Sequence, residues 1–397
     1  MIKIHEIELS SEINDLYMED RYDAVLLVPM LNGIPLGEIQ IPIDDKNVFN
    51  EEFLIDKISA NVGGKFLTKN LFEKIDAPIK KNRPAISVVV CTRDRAASLK
   101  VCLKSLVELD YPAYEVIVVD NCTKDDSVFQ VAEKFKVKYV RENKPGLDYA
   151  RNRGIREASF DIVAFIDDDA IASGGWLNGI ALGFNNPQIF AVTGLTLPAE
   201  LESDAQVDFE LYGGMSKGYN SFTISKSSLN SQNRFWSSAW GVGTNMAFRK
   251  KLFDTIGDFN VALDVGTPTC GGGDIEMFQR TVSFGYKLRY EPSALVKHFH
   301  RKEYAALKKQ IFNNGKSFPA YLLTVNKYTK NEKLQLLKFA FVDWLLKWLI
   351  FRMIKSILKL DRKTFLFAYN EFIGALFSPF SYIKSTRKNF ILKKSSI

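Results

Sequence analysis

Asp167, Asp168 and Asp169 stand in a row directly after the apolar run from Ile162 to Ile166. Adjacent carboxylates repel one another and are costly to take out of water. The row is therefore either an exposed acidic turn or the seat of a cation. On an extended chain the first and third side chains fall on one side, so Asp167 and Asp169 can bracket an ion. Carboxylates together with water and diphosphate oxygens are the usual surroundings of Mg²⁺ or Mn²⁺. His298 and His300, two of the three histidines in the chain, close a strand-like run from Ala294 to Lys297. Each is either a surface histidine or, near such a cluster, a third metal ligand.

Other polar residues follow apolar runs in the same way. Ile86 to Cys91 runs into Thr92-Arg93-Asp94-Arg95, and Glu115 to Val119 into Asp120-Asn121. A single acid in such a place is usually a helix cap or a turn former, which is the bland reading of Asp94. Three successive runs ending in acids point to one shared site. Arg95 and Arg151 are the candidates to hold a diphosphate. Gly271-Gly272-Gly273-Asp274 precedes a helical run from Ile275 to Phe284. Asp274 either caps that helix or serves as a general base toward an acceptor hydroxyl. Neither GxGxxG nor GxxxxGK[ST] occurs, which argues against a dinucleotide dehydrogenase and against a P-loop enzyme.

These residues need a scaffold. The β-branched runs 86–91, 115–119 and 162–166, with a shorter one at 137–140, read as strands buried on both faces. Helical patterns lie between them, at 96–108, 127–135 and 149–158. Strands alternating with helices of this length make a parallel α/β sheet, and ligands bind such sheets at the carboxyl ends of the strands. Residues 1–83 read as a small β-rich module with a hairpin turn at Asn32-Gly33, and Lys80 to Pro84 as a polar linker.

The chain has 397 residues and a net charge of +7, unevenly spread. Residues 301–397 hold 20 Lys/Arg against 5 Asp/Glu, so the remainder is mildly acidic. A basic tail suggests an anionic surface, membrane lipid or nucleic acid, if it is not simply a solvated charged face. Its Trp and Leu density favours membrane over nucleic acid. The run from Phe339 to Phe351 is too short and too interrupted by Asp343 and Lys347 to span a bilayer. It and the aromatic stretch from Phe365 to Ile383 are either in-plane interfacial helices or a helix pair packed on the main body. The four cysteines, Cys91, Cys102, Cys122 and Cys270, lack CxxC spacing and read as free thiols of a reducing compartment. The N-terminus has no secretory pattern. Together these suggest a cytoplasmic protein, peripheral at the inner face of the membrane.

In this order and spacing, SVVVCTRDR, EVIVVDN, PGLDYARNRGI, IVAFIDDDA followed by Trp176, GTNMAFRK, GGGD-IEMFQR and EPSALVKHFHR resemble the family-2 glycosyltransferases of the GT-A fold. The resemblance covers roughly residues 85–301. It implies a GT-A type, Rossmann-like nucleotide-binding sheet at 84–301, with the β-rich module at 1–83 before it and a helical, basic, amphipathic region at 302–397 after it. It implies that Asp120 holds the base of a nucleotide-sugar, commonly uracil, with Thr92 and Asp94 beside it and Arg151 near the nucleotide. Asp169 would bind the metal, and Asp167 or Asp168 the ribose and sugar. His298 would face the diphosphate or metal, and Asp274 would be the catalytic base of an inverting transfer. The departure is Gly273, where the family's motif has Glu, so a second carboxylate is missing unless Glu276 substitutes. The acceptor, a glycan or lipid-linked molecule of surface-polysaccharide synthesis, would be met by residues 196–240. There Tyr212, Tyr219, Phe235, Trp236 and Trp240 either stack on sugars or pack a loop-rich subdomain.

Two other classes compete. A nucleotidyltransferase would want a glycine-rich basic loop after the first strand, which TRDR is not. A non-catalytic glycan- or lipid-binding protein on a degenerate transferase scaffold would fit Gly273 but not the intact acidic row.

Overall fold

The computed structural model describes residues 1–43, 47–76, 83–230 and 232–394. Its centre is a nine-stranded mixed sheet. Ile162–Asp167, Ile86–Thr92, Tyr114–Asn121 and Lys138–Glu142 lie side by side and parallel. Asn245–Arg249 continues the sheet antiparallel to Ile162–Asp167 and joins it to Ile189–Pro198. That strand runs parallel to Lys287–His298, which also pairs with the short strands Ala170–Ala172 and Phe222–Ile224. The parallel half follows from its sequence: apolar runs rich in Val and Ile at its three inner strands suit a sheet covered on both faces. One face is covered by Leu99, Leu103, Leu106 and Trp176, the other by Ala150, Ile155, Leu252, Met277 and Phe278.

Register brings the strand ends level. Thr92 pairs with Asp120, and Cys91 with Asp167. The polar residues after three strands therefore share one edge of the sheet.

The N-terminal residues form a small sheet in which Ile2–Glu8 runs parallel to Ala24–Leu31. Ala24–Leu31 turns back into Ile34–Pro35 through Asn32 and Gly33, both in the left-handed region (φ 51° and 74°), as the Asn-Gly pair predicts. The start of the helix Glu51–Asp76 closes its core with Leu54, Ile58 and Val62. This small sheet is joined to the large one. Val28 and Met30 share an apolar cluster with Leu195, Leu197, Tyr290 and Leu295, and Lys297 pairs with Glu6 at 2.7 Å.

After the sheet the chain is helical. Tyr304–Val325 and Arg362–Lys394 cross where Gly315 and Gly374 leave no room for side chains. A Cβ on Gly315 would overlap the Glu371 carbonyl, and one on Gly374 the Phe312 carbonyl. The intervening segment includes the π-helix Phe339–Ile350, whose Phe339, Trp344 and Leu349 are buried against Phe318 and Tyr321. One face of the tail is packed on the main body, as the helix-pair reading has it. Its other face leaves large apolar side chains in solvent: Leu334 at 84%, Leu358 at 80%, Leu360 at 91% and Phe380 at 75% exposure, with Phe341, Phe351, Ile354 and Ile357 also exposed. No helix among the described residues is long and apolar enough to cross a membrane.

The aromatics of residues 196–240 are mostly taken up by packing. Phe235 and Trp240 are buried. Trp236 packs edge-on against Phe339 and Trp348 and tilted against Phe318, with centroids 5.2–5.7 Å apart. Tyr212 donates to the buried Glu371 and lies under the guanidinium of Arg352.

Candidate active site

The acidic row straddles a strand end: Asp167 closes its strand, and Asp168 and Asp169 form the turn that follows. Asp167 and Asp169 point to one side with His298, and one ligand atom from each of the three lies within 4.8 Å of the others. His298 Nε2 is 3.1 Å from Asp169 Oδ1 because Ala170 pairs with His298 across the strand ladder. Burial opposes the Asp169 charge. The His298 hydrogen bond and the cations Arg95 and Arg301 outweigh that and hold its pKa down to about 2. Two carboxylates and an imidazole, drawn together by register, are a donor set that fits Mn²⁺ or Mg²⁺.

Asp168 is not part of that set and turns to Thr92. It is buried, accepts from Thr92 Oγ1 at 2.6 Å and takes Arg95 Nη1 at 3.0 Å. Burial pushes its pKa up to about 6 against the pull of Arg95. Arg95 also reaches Asp169 at 2.9 Å and so clamps two members of the row.

The neighbouring strand end holds Asp120, fully buried, which accepts from the Thr123 amide at 2.9 Å and the Tyr139 hydroxyl at 2.7 Å. Asp94 sits in the left-handed region (φ 55°) and accepts from the Lys124 amide at 3.0 Å. Thr123 Oγ1 accepts from the Asp94 amide at 3.0 Å, which ties the two loops together. Thr92, Asp94 and Asp120 thus line one continuous stretch of the sheet edge.

Asp274 lies at the other side of the acidic row. It does not cap its helix: Gly273–Ser283 has Gly272 as N-cap (φ 101°), and Asp274 falls in the first turn. Its side chain accepts from the Gly243 amide at 2.8 Å, while the next residue, Thr244, donates to Asp167. Two adjacent residues of one loop therefore bridge the base candidate and the metal-ligand candidate. Above Gly243, Arg151 Nη2 and Asp274 Oδ2 each lie 2.9 Å from where a Cβ would be. Burial opposes the Arg151 charge, but Asp148, Asp167 and Asp274 around it keep the guanidinium protonated. Arg151 is thus a buried cation among three carboxylates.

Glu276 does not take the part of the missing second carboxylate. It is buried, pairs with Arg280 at 2.9 Å and faces away from Asp274 along the helix. The acid beside Asp274 is Asp148, which sequence reasoning passed over. Asp148 is fully buried and binds Arg151 Nη1 at 3.0 Å. A Cβ on Gly273 would overlap its Oδ2, an oxygen with no hydrogen-bond partner. Burial raises the Asp148 pKa to about 7 despite Arg151. Asp264, whose Oδ2 accepts from the Asp148 amide at 2.7 Å, is likewise raised by burial. The signal was present in PGLDYARN, where Asp148 stands one helical turn before Arg151.

His298 and His300 face each other, Nδ1 to Nδ1 at 3.2 Å, and His300 Nε2 meets Glu210 at 2.6 Å. His300 is therefore an outer support of His298 rather than a surface residue.

Residues 87–257 match the family model for glycosyl transferase family 2. The glycosyltransferase AglE of Haloferax volcanii is 27% identical over 243 residues, 59% of this chain and 72% of its own length. The pre-mycofactocin glycosyltransferase of Mycobacterium tuberculosis is 26% identical over 284 residues, 68% of this chain and 56% of its own, so this chain spans only about half of that relative. Among solved structures, mannosyltransferase PcManGT from Pyrobaculum calidifontis in complex with GDP-Man and Mn²⁺ has the same fold at a TM-score of 0.50. It is 15% identical, over 75% of this chain and 88% of that one. Residues 87–257 thus resemble glycosyl transferase family 2, and the sheet shares its fold with that mannosyltransferase.

Proposed function

We propose that this protein is a metal-dependent inverting glycosyltransferase that moves a sugar from a nucleoside diphosphate to a hydroxyl of a lipid-linked glycan at an anionic membrane surface, in cell-surface polysaccharide synthesis. The observation that carries the reading is the bridge at Gly243-Thr244, which sets Asp274 beside Arg151 and next to the Asp167, Asp169 and His298 cluster.

Asp167, Asp169 and His298 would hold Mn²⁺ or Mg²⁺, which supplies charge neutralisation for a leaving diphosphate. The remaining steps belong to the chain's own residues. Asp120, with Thr92 and Asp94, borders the space for the base, and a UDP-sugar is the favoured donor. Arg151 offers a preorganised positive charge where negative charge grows, with no reorganisation needed at the moment of reaction. Asp274, held by the Gly243 amide, accepts the proton of the attacking hydroxyl. The Mn²⁺ and GDP-Man of the mannosyltransferase complex support the metal and the donor class.

The membrane part rests on the tail. Its exposed Leu, Ile and Phe residues lie among Lys333, Lys338, Lys355, Lys359 and Arg362, the composition of a helix that rests in the headgroup layer. That makes a protein working peripherally at the cytoplasmic face of the membrane.

The test is isothermal titration of UDP, dTDP and GDP, with and without Mn²⁺, into wild type and Asp169→Ala. The reading expects one nucleotide to bind in a metal-dependent way and the variant to lose it. No binding of any nucleotide would overturn it.

A further inference from the structure

A cavity lies apart from the acidic row. It has a volume of about 470 Å³ and opens between the N-terminal module and the loop that follows the helix Asp204–Tyr212. Glu38 and Asn61 come from the module, and Glu210, Gly214, Gly218 and Tyr219 from the other side. The size is that of a site for a small molecule.

Its lining has a definite chemistry. Two carboxylates and an amide face it, and no Lys or Arg is among the described lining residues. An anion would meet only like charge there. A polyhydroxylated neutral ligand would find acceptors for its hydroxyl protons, an amide for its oxygens and the ring of Tyr219 as an apolar wall. The Tyr219 hydroxyl donates to Glu38 at 2.9 Å and ties the two walls together. Gly214 has positive φ (48°), and a side chain there would overlap Glu210 Oε2, so glycine is what lets the loop fold down on that carboxylate.

The cavity is wired to the reaction centre at two points. Glu210 holds His300, His300 faces His298, and His298 meets Asp169. The loop also carries Lys217, whose ammonium is pulled down in pKa by burial and drawn the other way by Asp274 and Glu210. The loop thus presents a cation toward Asp274, and the helix before it a carboxylate to the cavity. The base-binding residues Thr92, Asp94 and Asp120 are on the opposite half of the sheet.

We infer that this cavity binds a neutral sugar unit of the acceptor glycan, with the N-terminal module supplying half of the site. The inference rests on the transferase reading for the word acceptor, but not for the binding itself. It gives the N-terminal module a role in selecting what is glycosylated, while the large sheet carries out the transfer.

The experiment is saturation-transfer NMR on the full chain. The neutral probes are methyl glucoside, methyl galactoside and methyl N-acetylglucosaminide; the charged ones are methyl glucuronide and glucose 1-phosphate. Nucleotide binding is titrated in the same samples. At least one neutral probe should bind in preference to both charged ones. Glu38→Gln should weaken it about tenfold, the difference between a charged and a neutral acceptor. Asn61→Trp, an exposed helical position that fills the opening, should abolish it, and both variants should bind nucleotide as wild type does. Failure of every neutral probe, preference for a charged one, or undiminished binding by Asn61→Trp would overturn the assignment. Glycoside binding without any nucleotide binding would overturn the transferase reading and leave the cavity's assignment standing.

Discussion

The carboxylate of Asp148 occupies the space that any side chain on Gly273 would need. A Cβ at 273 would stand 2.8 Å from Asp148 Cγ and overlap Oδ2. The two positions come from different helices, 125 residues apart in number. A helix start bearing Glu before Asp274 and a buried Asp148 are therefore mutually exclusive, and this chain has taken the second.

Gly273→Ala should destabilise the protein by about 1–3 kcal/mol, the usual cost of overpacking. It should also lower the transfer rate, because the displaced Asp148 lets go of Arg151. Thermal melts and a sugar-transfer assay check this. Gly273→Glu combined with Asp148→Ala should melt higher than Gly273→Glu alone; equal melting would show that the two sites do not compete.

Asp148 also carries a pH signature. Its pKa of about 7 in the fold lies above its ordinary value of 3.8, so folding favours the protonated form. The group's contribution is complete below the ordinary value and is lost as pH rises through about 7. Asp148→Asn should therefore lose less stability than wild type between about pH 5 and pH 8. Parallel melting curves across that interval would contradict the assignment.

Asp274→Asn should reduce turnover by about 10²- to 10⁴-fold. Nucleotide affinity should stay within about twofold, since a base acts on the acceptor and not on the bound nucleotide. Rates and titrations on one preparation separate the two quantities. A variant that loses nucleotide binding instead would make Asp274 a donor ligand.

Glu210→Gln leaves His300 with a neutral partner and loosens the support of His298. Loss of an outer support typically costs about 10–100-fold in metal affinity. The Mn²⁺ concentration for half-maximal activity should rise by that amount while the rate at saturating Mn²⁺ changes little. An unchanged Mn²⁺ requirement would separate the two histidines functionally.

Replacing Leu358, Leu360 and Phe380 together by Ser removes three well-exposed apolar side chains. Binding to vesicles containing phosphatidylglycerol should fall at least about tenfold, each lost side chain being worth up to about 1.5–3 kcal/mol of burial. Sedimentation with vesicles at low salt measures it. Wild type that stays in solution there would end the membrane proposal.

The sheet was legible because three of its parallel strands are Val- and Ile-rich apolar runs, each followed at once by acids or their partners. The grouping of Asp167 with Asp169 was anticipated from an extended chain, but it comes about in the turn after the strand. Asp148 was hidden because its neighbour in space, Gly273, is remote in sequence, and a lone acid early in a helix reads as ordinary first-turn chemistry. The aromatics at 212–240 could not be assigned from type. Whether a Trp stacks on a sugar or on another Trp depends on where Phe339 and Trp348 lie, and only tertiary packing decides that. Asp274 could be read from sequence as either a cap or a base; a left-handed Gly272 takes the cap position and leaves the carboxylate to the Gly243 amide.

The Gly315–Gly374 crossing holds the two long helices backbone against backbone, with nothing compressible between them. Tyr304–Val325 is in turn bonded to the Asp274 helix through the Tyr321 hydroxyl, which donates to Gln279 at 3.0 Å, and Ser317 rests under Gly271 and Gly272. The two long helices are therefore joined to the Asp274 helix by a continuous train of contacts. Under the membrane proposal, this train of contacts would be a fixed stand that sets the height above the lipid at which a hydroxyl meets Asp274, and so measures the acceptor.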